Sequence, residues 1–300
     1  MMNIQKIGLL ILLSTVIFAL QSFAQVANTH TNTKKESQQN NFIKFFPDTA
    51  LAILVAEKLS KKITDSVTVK ELASIKGDFE VGPGDVSKLT GIGYLIGIDT
   101  LDCYKNEVTE IPAEIGRLTN LKYFNFCKAY ALNKVPAEIG KLKKLKKIRL
   151  CLTEIKSIPK EIGSLPNLNI LWMFCNDFKE IPKEIGNLKR LKDLDIHSNK
   201  ITKLPNEVCN LKSLTSLDIS YCGLERLPDS IGNLKSLEFL NLFGNDLRQL
   251  PRSIERLDNL GYLNVFDNFK LSEKYKNYLP QLLRKKKKIV KSHTKLAKQD

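Results

Sequence analysis

The 300-residue sequence predicts an α/β solenoid, with a parallel sheet on one face and short helical turns on the other. Three observations predict it. A 23-residue unit recurs through most of the chain. Apolar residues return at unit positions 1, 4, 7, 9, 14, 17 and 21, with proline at 18. Positions 7 and 9 flank a polar position 8, which is the two-residue period of a strand.

The units are plainest at Leu165–Asn187 (LPNLNILWMFCNDFKEIPKEIGN), Leu188–Asn210, Leu211–Asn233 and Leu234–Arg256. They extend upstream through Leu142–Ser164, Leu118–Lys141 (one residue longer) and Leu95–Arg117. Leu257–Leu271 begins an eighth unit that lacks the proline. One such unit cannot bury its own apolar face, whereas stacked units bury a continuous core. Position 12 is asparagine at Asn106, Asn176, Asn199, Asn245 and Asn268. An amide has donors and an acceptor, so it can satisfy backbone groups of its own turn and the next. Cys222 and Thr153 stand at that position in two other units, and the longer unit has Ala129 and Tyr130 near it. Proline at 18 fixes φ and lacks a donor, which suits the start of the helical turn that carries the apolar residue at 21.

These motifs resemble the leucine-rich-repeat family, with its LxxLxLxxNxL signature. The I/L-P-x-x-I-G ending is similar to the 23-residue class of Ras-suppressor-like and many bacterial repeat proteins. The resemblance covers about Val86 to Leu271 and implies a horseshoe whose sheet lines the concave face. Upstream, Phe46–Lys62 has helical apolar spacing with Asp48 or Thr49 as cap, and a second helix is expected from about Thr68. With Val86–Tyr94 these resemble the helical N-terminal cap of internalin-like proteins, so 42–94 is read as cap plus first atypical repeat and 95–271 as the repeats. Segment 272–300 is read as C-terminal cap and basic tail, with Pro280 breaking its helix.

Residues 1–24 read as a secretory signal peptide: Lys6, an apolar run over Ile7–Leu20, and small residues before cleavage near Ala24. Residues 25–41, rich in Asn, Thr, Gln and Lys, read as a disordered lead-in. The expected location is therefore secreted or periplasmic, with no transmembrane segment once the leader is removed. The formal charge is +15, and Lys6 is the only charge in the leader. A basic surface favours acidic proteins, anionic glycans or lipid headgroups, and export places nucleic acid last among such partners. The run Arg284–Lys288 is either a solubilising tail or a contact for an anionic envelope surface.

Strand residues pointing away from the core are expected at positions 8 and 10, flanked by 5, 6 and 11. They include Tyr104, Arg149, Trp172, Phe174, Asp195, His197, Asp218, Phe239, Phe243, Tyr262 and Phe266, which together form the candidate partner-binding face. Two aromatic clusters are expected, Trp172 with Phe174, and Phe239, Phe243, Tyr262 and Phe266; rings can touch because adjacent strands lie about 4.8 Å apart. Lys122, Lys146, Lys147 and Arg149 form a basic group that can meet a carboxylate, sulfate or phosphate, or merely make a solvated rim. Asp195, His197 and Asp218 resemble a metal trio in composition, but an ordinary polar patch is the default and no metal or cofactor is expected. Cys127 and Cys151 share position 10 on neighbouring strands, and whether they bond stays open.

Catalytic signals are poor. His30, His197 and His293 are the only histidines, and no glycine-rich phosphate loop or zinc spacing is present. The expectation is a non-enzymatic module that binds a protein or peptide on the concave face. The alternative is an envelope-associated binder of anionic glycan or lipopolysaccharide.

Overall fold

The computed structural model describes residues 41–84, 86–272 and 275. The expected signal peptide, nearly all of the lead-in, the basic run and most of the C-terminal cap lie outside these residues. Among the described residues, no helix is long and apolar enough to cross a membrane.

The described residues open with three short helices, α1 (Phe42–Phe45), α2 (Thr49–Lys58) and α3 (Val69–Ser74). Asp48 caps α2: its Oδ1 accepts from the Leu51 N–H, while Oδ2 accepts from the Ser87 and Lys88 N–H groups and the Ser87 hydroxyl. The cap therefore fastens the helix to the chain entering the repeats. Burial opposes ionisation of Asp48, but the Leu51, Ser87 and Lys88 donors outweigh it and hold its pKa below the ordinary value. Thr68 begins α3 with a reciprocal box, its hydroxyl taking the Glu71 N–H while the Glu71 carboxylate takes the Thr68 N–H.

Nine parallel strands then follow in simple chain order: β1 (Gly77–Glu80), β2 (Ile98–Asp102), β3 (Tyr123–Asn125), β4 (Lys147–Arg149), β5 (Ile170–Trp172), β6 (Asp193–Asp195), β7 (Ser216–Asp218), β8 (Phe239–Asn241) and β9 (Tyr262–Asn264). From β3 on they occupy unit positions 6 to 8, in strict register: Leu171 lies beside Leu194, which lies beside Leu217 and then Leu240. Position 7 points inward and is buried in every unit. β1 was not expected. Its sequence GDFE carries no repeat signature, yet Phe79 is fully buried and the strand pairs with β2 across an irregularity at Gly77.

On the opposite face each full-length unit makes a short 3-10 turn, as at Lys183–Asn187 after Pro182. The isoleucine inside it is buried, and its N–H bonds the proline carbonyl. A glycine usually follows because the next unit presses against it: a Cβ on Gly232 would lie 2.0 Å from the Ser253 carbonyl oxygen.

The asparagine ladder forms as a buried spine. Asn199 Nδ2 donates to the carbonyls of Met173 in the preceding unit and Ile196 in its own, at 3.0 and 2.8 Å, and its Oδ1 accepts from the Phe178 N–H. Asn176, Asn245 and Asn268 repeat the pattern. The Cys222 thiol substitutes, donating to the Ile196 carbonyl at 3.2 Å. Immediately before the ladder, position 11 turns left-handed in every unit: Lys105, Lys128, Leu152, Cys175, Ser198, Tyr221, Gly244 and Asp267 all have φ between 54° and 66°. Apart from the final Asp267, each of these residues donates its N–H to the position-10 carbonyl of the following unit, as Gly244 does to Phe266.

Candidate functional site

The outward side chains of the sheet are those at positions 6 and 8, with position 10 just beyond the strand end. Position 8 shows a rule that sequence spacing alone did not reveal. Asp102, Asn125, Asp195, Asp218, Asn241 and Asn264 each accept the N–H of the residue two ahead, forming an Asx turn that closes the strand. Only Arg149 and Trp172, on adjacent strands, depart from it. Neither side chain can act as that acceptor. Asp195 and Asp218 therefore already have a structural task.

Around the two departures lies a tight cation–aromatic group. The Arg149 guanidinium sits 4.3 Å from the centre of the Trp172 ring, and Lys147 Nζ lies 4.8 Å from the same ring. Lys147 also stands 5.6 Å from the Tyr123 ring, and Arg149 Nη1 donates to the Tyr123 hydroxyl at 3.2 Å. From the other side, Trp172 Nε1 donates to Asp193 at 3.0 Å. Trp172 is thus half-buried and clamped. Burial first, and the Arg149 charge second, push the Lys147 ammonium below its ordinary pKa; burial raises that of Asp193. Among the described residues neither Lys147 nor Arg149 has a carboxylate within 4.0 Å, and the buried Nε of Arg149 has no hydrogen-bond partner.

The expected basic group divides here. Lys122 pairs with Asp99 at 2.9 Å, and Lys146 is exposed at the flank. The expected pairing of Trp172 with Phe174 is also replaced. Phe174 stacks on His197 instead, with centroids 4.6 Å apart and planes 11° from parallel. The reason is position: Trp172 lies on the strand, where β4 faces it, whereas Phe174 lies past the strand end beside the next unit's position 10.

Across β6 and β7 the surface turns polar. His197 Nδ1 lies 2.7 Å from Asp195 Oδ1, and this hydrogen bond, against the effect of burial, holds the imidazole pKa above its ordinary value. Ligand atoms of Asp195, His197 and Asp218 fall within 4.8 Å of one another, a spacing that can hold a cation. Protein donors already occupy both Asp218 oxygens and Asp195 Oδ1, however. Asp218 Oδ1 takes the Ser220 N–H and hydroxyl, and Oδ2 takes Asn241 Nδ2 at 2.9 Å.

At the far end the expected four-ring cluster separates into pairs. Phe239 stacks on Tyr262 at 4.5 Å, and Phe243 meets Tyr221 edge-on at 5.0 Å. Gly244 makes room for the second pair, since a Cβ there would stand 2.7 Å from the Tyr221 ring. Phe266 remains 65% exposed. Tyr104, at the first full unit, is exposed with Lys128 Nζ 5.4 Å from its ring centre. Cys127 and Cys151 are free thiols; the neighbouring Cys151 thiol, helped by the Arg149 charge, lowers the Cys127 pKa against the opposing effect of burial.

Sequence reasoning did not select Tyr123, Asp193 or Tyr221. The first two were legible from strand parity at position 6. Tyr221 stands at position 11, a flanking position, but nothing in the sequence marks it as the left-handed turn that brings its ring against Phe243.

A family profile described as a leucine-rich repeat region matches residues 160–296. Among solved structures, a leucine-rich-repeat protein of Leptospira interrogans is similar at 30% identity and a TM-score of 0.58. That match covers 74% of this chain and 62% of the Leptospira chain, so this chain spans less than two thirds of that protein. Internalin C2 from Listeria monocytogenes is similar at 25% identity, covering 74% of this chain and 94% of the other, with a TM-score of 0.64. The functional domain of InlJ from the same organism shares the fold at 24% identity and a TM-score of 0.60, covering 78% of this chain and 56% of that one. No curated protein sequence matches significantly. Repeat unit, asparagine spine and open parallel sheet together define a leucine-rich-repeat solenoid. The chain is a leucine-rich-repeat protein, similar in structure to internalin-like members of that class.

Proposed function

We propose that the chain is an exported, non-enzymatic recognition module that binds a protein or peptide on the concave sheet face. The observation that carries this reading is the paired departure at position 8. Six units place there a side chain that closes the strand, and two neighbouring units give up that hydrogen bond for Arg149 and Trp172. A local rule broken at adjacent positions, where the strand-closing bond gives way to a cation–aromatic group on the outer face, marks a site kept for another purpose. The rings at Phe174, Phe239, Tyr262 and Phe266 extend the same surface. Aromatic and arginine side chains at the centre of an interface carry most of its binding energy.

The test is affinity capture with the mature chain. Trp172→Ala combined with Phe174→Ala should weaken capture of a bound partner by roughly 30-fold, corresponding to loss of about 2 kcal/mol from a central anchor. Lys160→Ala with Lys183→Ala, both on exposed convex turns, should leave it unchanged. Equal capture by both variants would remove the concave face from consideration.

A further inference from the structure

We propose that Lys147 and Arg149 form a seat for a single carboxylate of an acidic peptide segment, with Trp172 as its wall. The inference rests on the concave-face reading and names the chemistry of the ligand at its centre.

The first argument is electrostatic. Lys147 and Arg149 lie two residues apart on β4 and project to the same face. Both are half-buried against the Trp172 ring. Like charges held together out of water oppose each other, and the lowered Lys147 pKa registers this. Other prominent face charges have partners: Lys122 pairs with Asp99, and His197 with Asp195. These two cations have no carboxylate in contact among the described residues, although the face supplies carboxylates nearby.

The second argument is hydrogen bonding. Arg149 spends Nη1 on the Tyr123 hydroxyl and its flat surface on Trp172, while the buried Nε has no acceptor. A guanidinium so placed is oriented by its neighbours, with donors left over on one edge. A carboxylate oxygen can meet the remaining Nη2 donors, and the Lys147 ammonium can reach the same oxygen.

The third argument is charge balance. Asp193, tied to Trp172 Nε1, contributes its field at Lys147. Two cations against one neighbouring carboxylate leave about one positive charge to neutralise. A monoanion fits that remainder, whereas a phosphate dianion overshoots it. A peptide fits the surroundings as well: Trp172 and the Phe174–His197 stack lie beyond the seat and can receive apolar groups next to the acidic residue.

Trp172 is the only tryptophan in the chain, so its fluorescence reports the seat directly. The mature chain should be titrated at physiological salt with hexaglutamate, with hexaglutamine, and with inorganic phosphate and sulfate at matched ionic strength. Hexaglutamate should change Trp172 emission saturably, and the neutral peptide should not. Arg149→Gln and Lys147→Gln should each raise the apparent Kd at least about tenfold. Arg149→Lys, which keeps the charge but not the fork, should fall between them and the parent, and Lys160→Gln with Lys183→Gln should match the parent. Circular dichroism confirms the fold of each variant, and the lysine variant serves if the glutamine one does not fold. The proposal fails if hexaglutamate gives no saturable change. It also fails if hexaglutamine, phosphate or sulfate does as well, or if the folded Arg149 variants titrate like the parent. Loss of partner capture by the Trp172 and Phe174 double variant, with no effect of Arg149→Gln, would sink this seat while leaving the recognition reading intact.

Discussion

The buried asparagine spine and the outer sheet face run the length of the same solenoid, yet they are built on opposite rules. The spine is periodic. Asn176, Asn199, Asn245 and Asn268 bond equivalent atoms in successive units, and Cys222 keeps the pattern with a thiol. The face is aperiodic, passing from the Tyr123–Lys147–Arg149–Trp172 group to the acids of β6 and β7 and then to the Phe239–Tyr262 stack. The difference teaches where each kind of information sits. A residue that satisfies backbone groups is held to a few side chains that can reach the same groups in each unit, an amide in most and the Cys222 thiol in one. A residue that meets a partner is free to differ, and the sites worth attention are those where the repeat is broken for no structural benefit.

That contrast can be broken most forcefully at the spine. Asn199→Ala should deprive the buried Phe178 N–H of its acceptor and loosen the ties on the Met173 and Ile196 carbonyls. The expected loss is about 1–3 kcal/mol, a drop of several degrees in the thermal midpoint by circular dichroism. No change would mean that the spine is ornamental. A smaller effect of opposite sign is expected at the one thiol in the series. Cys222→Asn should restore the amide and raise stability by about 1 kcal/mol, read from the shift in the urea midpoint at constant slope. Destabilisation there would show that the thiol is the better fit.

The smallest effect concerns the face. The Asp195 hydrogen bond raises the His197 pKa above its ordinary value. Its contribution to stability is therefore fully present below the unfolded pKa of about 6.5 and is lost as pH rises through the folded value. Titration of the imidazole protons by NMR should give a midpoint above that reference. Asp195→Asn keeps the Asx-turn acceptor but should bring the midpoint down, and an unchanged midpoint would separate the two residues.

Much of the fold was legible because periodicity repeats the same message. Position 7 is apolar in every unit and position 12 an amide in most, so Leu194 and Asn199 declared their roles. β1 was not legible: GDFE is read as a strand only when β2 is already beside it. At the site, strand parity placed Arg149 and Trp172 on the outer face. It could not show that Phe174 would leave Trp172 for His197, because ring partners depend on where the strand ends and how the next unit presents its side chains. The Asx turns were hidden for a similar reason. Aspartate and asparagine at position 8 look like ordinary solvated side chains until their oxygens are seen taking the N–H two residues on.

The left-handed residue at position 11 has a mechanical corollary. From Lys105 to Gly244, each such residue ties its amide to the unit that follows, so successive coils are stitched along one seam. Traction applied to the two extremities would not meet one cooperative barrier. It would open the stitches one after another, giving a train of modest, similar rupture events.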